Sequence, residues 1–245
     1  MNGFILLDKP AGFTSHDCCQ KIKGILKAKK TGHAGTLDKQ VTGVLIIAIN
    51  EAVKLMPLLE RSDKEYVGTA YLHKDIGLSD LKKGINKFVG KINQLPPRRS
   101  RVKRQVRERK IYDFKILEKK NQKFKFFVSC EAGTYIRKLI HDLGQELGIN
   151  ANMAKLRRIK QAVFTEKESC CFKNLKLISL EDFVKRLKVK TVRITKDQEK
   201  ELRLGKFLPI KTKEEGLIVA LSRNKVIALV KKRGEFIKPE RVLVK

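Results

Sequence analysis

The stretch TGHAGTLDKQVTGVLIIAI, Thr31 to Ile49, joins a glycine-punctuated polar loop to an unbroken apolar run. The run, Val44 to Ile49, is short and rich in β-branched side chains, so it reads as a buried strand rather than a helix. In the loop, Gly32 and Gly35 flank His33 and Ala34 and let the backbone adopt tight or positive-φ conformations, holding the loop close to whatever lies above it. One carboxylate, Asp38, sits between the glycines and the strand. In an isolated loop it would serve as a capping acceptor at a strand-entry turn. Its surroundings in the chain suggest a further use.

Upstream, FILLD (Phe4 to Asp8) is an apolar run ended by the turn signal KPAG and reads as a strand. Thr14 or Ser15 can then cap a helix whose Cys18, Ile22, Ile25 and Leu26 share one face, with lysines opposite. Downstream, KEYVGTAYLH (Lys64 to His73) has strand composition, and Ser79 starts a helix with Leu81, Ile85, Phe88 and Val89 inward, broken by QLPP. Tyr112, Phe114 and Ile116 alternate, as do Phe124, Phe126, Val128 and Cys130, across EKKNQK; this predicts a hairpin with one buried face. EAGTYIRKLIHDLGQELG predicts a helix capped by Thr134, with Ile136, Ile140, Leu143 and Leu147 inward and Gly148 as its stop. Strands and helices intermix without regular βαβ alternation, so the expected class is α+β with a mixed, mainly antiparallel sheet flanked by helices. A seam near Lys188 to Thr191 separates residues 1–188 from 189–245. The latter predict a helix from Thr195 to Leu204, closed by Gly205, and three short strands in GLIVALS, KVIALVKK and ERVLV. So small a module cannot rely on its own core and is expected to pack on the larger part.

Lys and Arg number 56 against 26 for Asp and Glu, a formal charge of +30 spread along 245 residues. Such a surface favours a polyanion, and nucleic acid more than a membrane. No apolar run approaches the roughly 20 residues a spanning helix needs, and the acidic Asp8 interrupts what a signal peptide would continue. The chain therefore reads as soluble and intracellular. The five cysteines are two adjacent pairs, Cys18-Cys19 and Cys170-Cys171, with Cys130 apart. They fit neither a zinc C-x-x-C pattern nor a disulfide framework and are expected to be reduced packing residues. The four histidines are scattered, so no metal is expected, and no glycine-rich phosphate cradle occurs.

Three further features bear on Asp38. The run RRSRVKRQVRERK, Arg98 to Lys110, has eight basic residues in thirteen and suits a segment that tracks phosphates, although such a run is commonly just a solvated face. Tyr66 would fill the core or offer a ring for an unpaired base. Arg137 falls in the first turns of the GTYIRKLI helix, where the dipole disfavours a cation, so a carboxylate partner is expected, and Asp38 would suit it.

KPAGFTSHD, GHAGTLDKQVTGVL, SDKEYVG and EAGTYIRKLIHDLG with AKLRR resemble, in order, the successive motifs of the TruB and dyskerin group of RNA pseudouridine synthases, over roughly residues 1–183. The C-terminal segment resembles a shortened PUA domain. The resemblance implies a pseudouridine synthase fold (residues 1–188) with a PUA-like RNA-binding module (residues 189–245). It implies that Asp38 is the catalytic carboxylate, that Tyr66 stacks on the target uracil and that Arg137 pairs with Asp38. Leu156 would help wall the pocket, His33 would fill the space left by a flipped nucleotide, and Arg98, Arg99, Arg101, Arg104 and Arg107 would bind substrate. Lys9 and Pro10 would be structural. No cofactor and no metal are implied, because the uracil is detached at N1, turned and rejoined through C5 with nothing added or lost. The site is expected to be dry, since water would hydrolyse the detached sugar. Lys39 stands where the family has proline after the aspartate, which removes a φ restraint beside the site.

The leading expectation is a stand-alone, cytoplasmic, monomeric tRNA pseudouridine synthase acting on the T-stem-loop. A second is the catalytic subunit of a box H/ACA particle, with guide RNA and partner proteins, acting on rRNA. A third, from another class, is a non-catalytic RNA-binding or ribosome-assembly factor that keeps the fold; the joint presence of Asp38, Tyr66 and Arg137 argues against it.

Overall fold

The computed structural model describes residues 1–96 and 103–243. Its elements are β1 (Gly3–Lys9), α1 (Ser15–Ile25), β2 (Thr31–Ala34), β3 (Thr42–Ile49), β4 (Lys64–Leu72), α2 (Leu78–Asn86), β5 (Gly90–Gln94), β6 (Arg107–Lys120), β7 (Lys123–Cys130), α3 (Ile136–Glu146), β8 (Ala151–Gln161), β9 (Phe164–Thr165), β10 (Leu177–Ile178), α4 (Leu180–Leu187), β11 (Thr191–Arg193), α5 (Lys196–Arg203), β12 (Leu217–Ser222), β13 (Lys225–Arg233) and β14 (Phe236–Val242). A 3-10 segment, Asn50–Leu59, follows β3. Among the described residues, β1 to β10 form one sheet in the order β10-β1-β3-β8-β4-β7-β6-β5, with β2 added on β3 and β9 on β8. Its pairings are antiparallel except β3 with β8, which run parallel. The sheet is thus mixed and mainly antiparallel.

β1 and β3 are continuous apolar runs because both of their faces are covered. Ile5, Leu7, Leu45, Ile47 and Ile49 pack with α1, α2 and α3. Phe4, Leu6, Val44, Ile46 and Ala48 pack on the opposite side with the 3-10 segment and α4. There Phe183 stacks between Phe4 and Phe164, ring centroids 3.5 and 4.9 Å away. The C-terminal sheet, β11-β12-β13-β14, repeats the scheme on a smaller scale. Ile218, Ala220, Ile227, Ala228 and Val230 close on Leu202 of α5, while Val219, Val226 and Leu229 join Phe4 and Leu180 in the core on that second side. The small module shares a core with the larger part, as its size requires.

Several local expectations are corrected. Tyr112 is exposed and Ile111 takes the inward place, because a β-bulge between Ile111 and Asp113 shifts the alternation by one residue. Val89 and Ile25 are exposed, each at or beyond the end of its helix. Gly77, not Ser79, precedes α2. Thr134 does not cap α3; its hydroxyl donates to the Glu131 carbonyl (2.8 Å), and Tyr135 holds the cap position. Thr14 does cap α1, exchanging side-chain and backbone hydrogen bonds with Asp17. Cys171 is exposed, whereas the other four cysteines are buried thiols. Seven elements have no counterpart in the sequence pattern: β2, which reads as loop, β5, β9, β10, β11, α4 and β8. The last lies near the middle of the sheet.

Candidate active site

The loop between β2 and β3 is held from below at each of its turns. Gly35 has φ +73°, and a Cβ there would lie 3.1 Å from the Arg158 Nη1 and 3.4 Å from both Gln161 and Lys64, so only glycine follows this path without strain. Ser15, buried at the start of α1, donates to the Leu37 carbonyl (3.3 Å) and accepts from the Leu37 N–H (2.9 Å). Lys9, fully buried, donates to the carbonyls of Pro10 (2.9 Å), Phe13 (2.6 Å) and Lys39 (3.1 Å). The Gly12 N–H donates to the same Lys39 oxygen (3.0 Å). Burial pulls the Lys9 ammonium pKa down, opposed by nearby acids that include Asp38. These contacts give Lys9 and Pro10 a structural part. They also explain how the loop keeps its shape without proline after Asp38: the anchor is the carbonyl of residue 39, which any amino acid supplies.

Asp38 emerges from this frame toward solvent, and Arg137, the second residue of α3, donates from Nη2 to its Oδ2. The cation expected to need a partner near a helix N-terminus has one. The start of α3 is fixed in turn by Gln94, whose buried amide donates to the Tyr135 carbonyl (3.2 Å) and accepts from the Tyr135 N–H (3.0 Å). The dry pocket expected around Asp38 is not formed among the described residues, for the two side chains are 55% and 58% exposed. The loop presents its carboxylate at the surface because every tether beneath it goes to backbone, leaving the side chain free to project.

Tyr66 lies below, in the body of the sheet. It is buried and stands opposite Arg158 in the β4–β8 register, so its hydroxyl feels the Arg158 guanidinium charge. Burial pushes its hydroxyl pKa up, against the nearby Arg158 and with a small added push from Asp38. Leu156 stands opposite Gly68 in the same register and so shares the Tyr66 face, partly buried against the main core. His33, on β2, is half-buried; burial and then the charge of Arg158 hold its imidazole pKa below the usual value, which favours the neutral ring. Its Nδ1 is buried without a hydrogen-bond partner among the described residues.

The basic run divides. Arg98, Arg99 and Arg101 lie outside the described residues. Arg104 is exposed and borders a cleft of about 290 Å³ that also takes in Arg137, Lys138 and His141. Arg107 opens β6 half-buried, with Arg109 two residues on along the same face. Asp38 and Arg137 therefore meet directly, Arg158 relates Tyr66 and His33 to the loop that carries Asp38, Leu156 lies on the Tyr66 face, Arg104 flanks Arg137, and Arg107 stands at the mouth of the neighbouring hairpin.

Sequence reasoning misses Ser15, Gln94 and Arg158 as site residues. Arg158 stands within the AKLRR motif, but a basic residue in so basic a chain reads as surface. Beside it Lys64, also buried, is lowered by burial to a pKa of about 8.

A model of the TruB family pseudouridylate synthase N-terminal domain matches residues 23–136, and one of the tRNA pseudouridylate synthase B C-terminal domain matches residues 137–203. A probable tRNA pseudouridine synthase B of Korarchaeum cryptofilum is 45% identical over 176 residues, 71% of this chain and 54% of that protein. One of Sulfurisphaera tokodaii is 48% identical over 166 residues, 68% and 49% of the two chains. The chain thus spans about half the length of the curated relatives it matches. Among solved structures, a chain of a Cbf5-Nop10-Gar1 complex superposes with a TM-score of 0.85 at 31% identity, over 99% of this chain and 85% of that one. A chain of an H/ACA RNP bound to a substrate RNA containing 2′-deoxyuridine gives 0.82 at 30% identity, over 99% and 85%. The α+β architecture is therefore the pseudouridine synthase fold with a small β-rich C-terminal module, and the chain belongs to the TruB family of pseudouridylate synthases.

Proposed function

We propose that the chain is an RNA pseudouridine synthase that isomerises the T-loop uridine of tRNA without a guide, in the cytoplasm. The observation that carries the reading is the surface ion pair of Arg137 with Asp38, whose charge also acts on the buried Tyr66 hydroxyl. In this reading residues 1–188 do the chemistry and residues 189–245 grip the adjacent stem. Asp38 attacks C1′, or removes the C2′ proton, as the N1–C1′ bond breaks; the uracil turns, C5 bonds to C1′ with displacement of Asp38 or return of the C2′ proton, and the C5 proton leaves to solvent while N1 takes one up. Arg137 holds the carboxylate in place and aims it. Tyr66 offers its ring edge as the floor on which the base rests, with Leu156 beside it, and His33 fills the stack left by the flipped nucleotide. The exposed carboxylate assigns the exclusion of water to the RNA, whose extruded base covers Asp38 as it binds.

The basic flank supplies affinity without sequence choice. Reversing both Arg104 and Arg107 to glutamate is expected to weaken RNA binding and to flatten its salt dependence by about 1.4 log units per log unit of salt, some 0.7 for each single-strand phosphate that is no longer neutralised. Fluorescence anisotropy over a salt series measures both. An unchanged slope would leave these two arginines as solvated surface.

A second reading keeps the chemistry and changes the substrate. It is favoured by the solved relatives, which come from a Cbf5-Nop10-Gar1 complex and an H/ACA RNP and align with 99% of this chain. The purified chain should modify an unmodified tRNA transcript alone, at the T-loop and nowhere else. Carbodiimide-stop mapping of pseudouridines, with and without guide RNA and partner proteins, decides between them. Silence on tRNA together with guide-dependent modification of rRNA would replace the first reading with the second. Binding without modification of any RNA would leave the non-catalytic reading.

A further inference from the structure

Arg158 is 1% exposed, yet no carboxylate pairs with it among the described residues. Its Nε donates to the Val44 carbonyl (2.7 Å), its Nη2 donates to the Gly35 carbonyl (2.9 Å), and the same guanidinium faces the Tyr66 hydroxyl. Taking a guanidinium out of water costs several kcal/mol, and an apolar side chain of similar volume fills a core at lower cost. The identity of the partners accounts for the charge. Gly35 and Val44 bracket the loop that carries Asp38, one at each end, and Tyr66 is the residue opposite Arg158 across the β4–β8 register. A flat, forked cation with donors in fixed directions can satisfy acceptors at both ends of the loop at once from a strand position opposite Tyr66, which a flexible ammonium or a neutral amide cannot do in the same geometry.

The main chain of Arg158 is as constrained as its side chain. It pairs with Gly43 of β3 on one side and Tyr66 of β4 on the other, in one of the two rows where the parallel and antiparallel parts of the sheet meet. Arg157, pointing the other way, is locked by Asp8 at 2.9 Å through two hydrogen bonds and by Glu166 at 2.5 Å. The strand is thus clamped on its far face, and the guanidinium of Arg158 has a fixed base from which to reach the loop.

We propose that Arg158 is the positioning residue of this site: it holds both ends of the Asp38 loop and the Tyr66 ring in one register, and so sets turnover rather than RNA affinity. The inference rests on the pseudouridine synthase reading and assigns a task to a residue that touches neither base nor sugar.

The test uses Arg158→Lys, Tyr66→Phe and the double variant in the full chain. The chain has four tyrosines and no tryptophan, so 3-fluorotyrosine labelling gives a small set of fluorine signals, and Tyr66→Phe identifies one of them. Expected for a folded Arg158→Lys are a moved Tyr66 signal with the Tyr71, Tyr112 and Tyr135 signals in place, and a single-turnover rate on saturating tRNA transcript lower by about tenfold to a hundredfold. RNA affinity should stay within about threefold, the pattern of an interaction absent from ground-state binding. Adding Tyr66→Phe to Arg158→Lys should cost less than about twofold more, since the hydroxyl would act only through Arg158. An unmoved Tyr66 signal, a rate within about twofold of the unaltered chain, or effects that multiply in the double variant would each overturn the proposal. If Arg158→Lys does not fold, Tyr66→Phe carries the test through nitrogen NMR. The buried Arg158 Nε–H should shift when the hydroxyl is removed, and an unmoved signal overturns the proposal. Inactivity of the unaltered chain on every RNA offered would instead sink the catalytic reading, with the NMR arms still deciding whether Arg158 and Tyr66 are coupled.

Discussion

Asp38→Asn is expected to abolish pseudouridine formation while RNA affinity stays within about threefold, because the amide keeps the shape of the side chain and loses only its charge and basicity. A carboxylate acting as nucleophile or base contributes at least roughly 10² to 10⁴ in rate, so release of tritium from C5-labelled uridine should fall to background. Stability should barely change. The side chain is 55% exposed and its partner 58%, and an exposed ion pair contributes at most about 1 kcal/mol. Every hydrogen bond that shapes the loop runs to backbone atoms of Gly35, Leu37 and Lys39 and leaves residue 38 out, apart from the bond between the Asp38 carbonyl and the Val41 N–H (3.0 Å), which asparagine retains. A folded, RNA-binding and inactive Asp38→Asn is therefore the expected product. Substantial turnover by this variant would remove Asp38 from the mechanism, and loss of RNA binding would mean that its charge organises the surface rather than the chemistry.

The parts of this architecture that are legible in the sequence are those where burial and periodicity agree. Val44 to Ile49 reads as a strand because both faces are covered and every residue is apolar, and the helix around Ile140 reads as a helix because its stripe faces one core. The pairing of Arg137 with Asp38 is legible for an electrostatic reason, a cation at the wrong end of a helix dipole. What stays hidden is the strand between them. β8 carries Arg157, Arg158, Lys160 and Gln161 where a central strand should carry valine and isoleucine, so no hydrophobic alternation announces it. Its inward positions are polar because they serve the loop above. The bulge at Ile111 to Asp113 is hidden for a different reason: one inserted residue reverses which face a residue occupies, and composition does not record it. The exposure of Asp38 is likewise beyond composition, since it follows from tethers made by main-chain atoms.

The same hidden strand sets the second large effect. Gly43→Ala is expected to destabilise the chain by about 3–5 kcal/mol, summing the cost of forcing atoms into a packed site and that of a left-handed backbone for a residue with a Cβ. Gly43 has φ +101°, and an added Cβ would fall inside the van der Waals shell of the Arg158 carbonyl oxygen and 2.8 Å from the Arg158 nitrogen. Both are backbone atoms of a strand that is paired on both sides, so neither can swing away as the end of a flexible side chain would. The parallel contact between β3 and β8 joins only Thr42 with Arg157 and Gly43 with Arg158, and a forced separation there opens the join between the two halves of the main sheet. Thermal unfolding followed by circular dichroism should show a midpoint lower by roughly 10 °C. Gly32→Ala is the matched control: it lies in the same motif, has no positive φ, and its Cβ would meet only Val53 side-chain carbons at 3.4 and 3.6 Å. Its midpoint should move by no more than about 2 °C, within the range of a tolerated core contact. Equal behaviour of the two variants would mean that β3 and β8 are not held together at this row. Arg158 would then lose its fixed base, and the loop that carries Asp38 would have to owe its position to Lys9 and Ser15 alone.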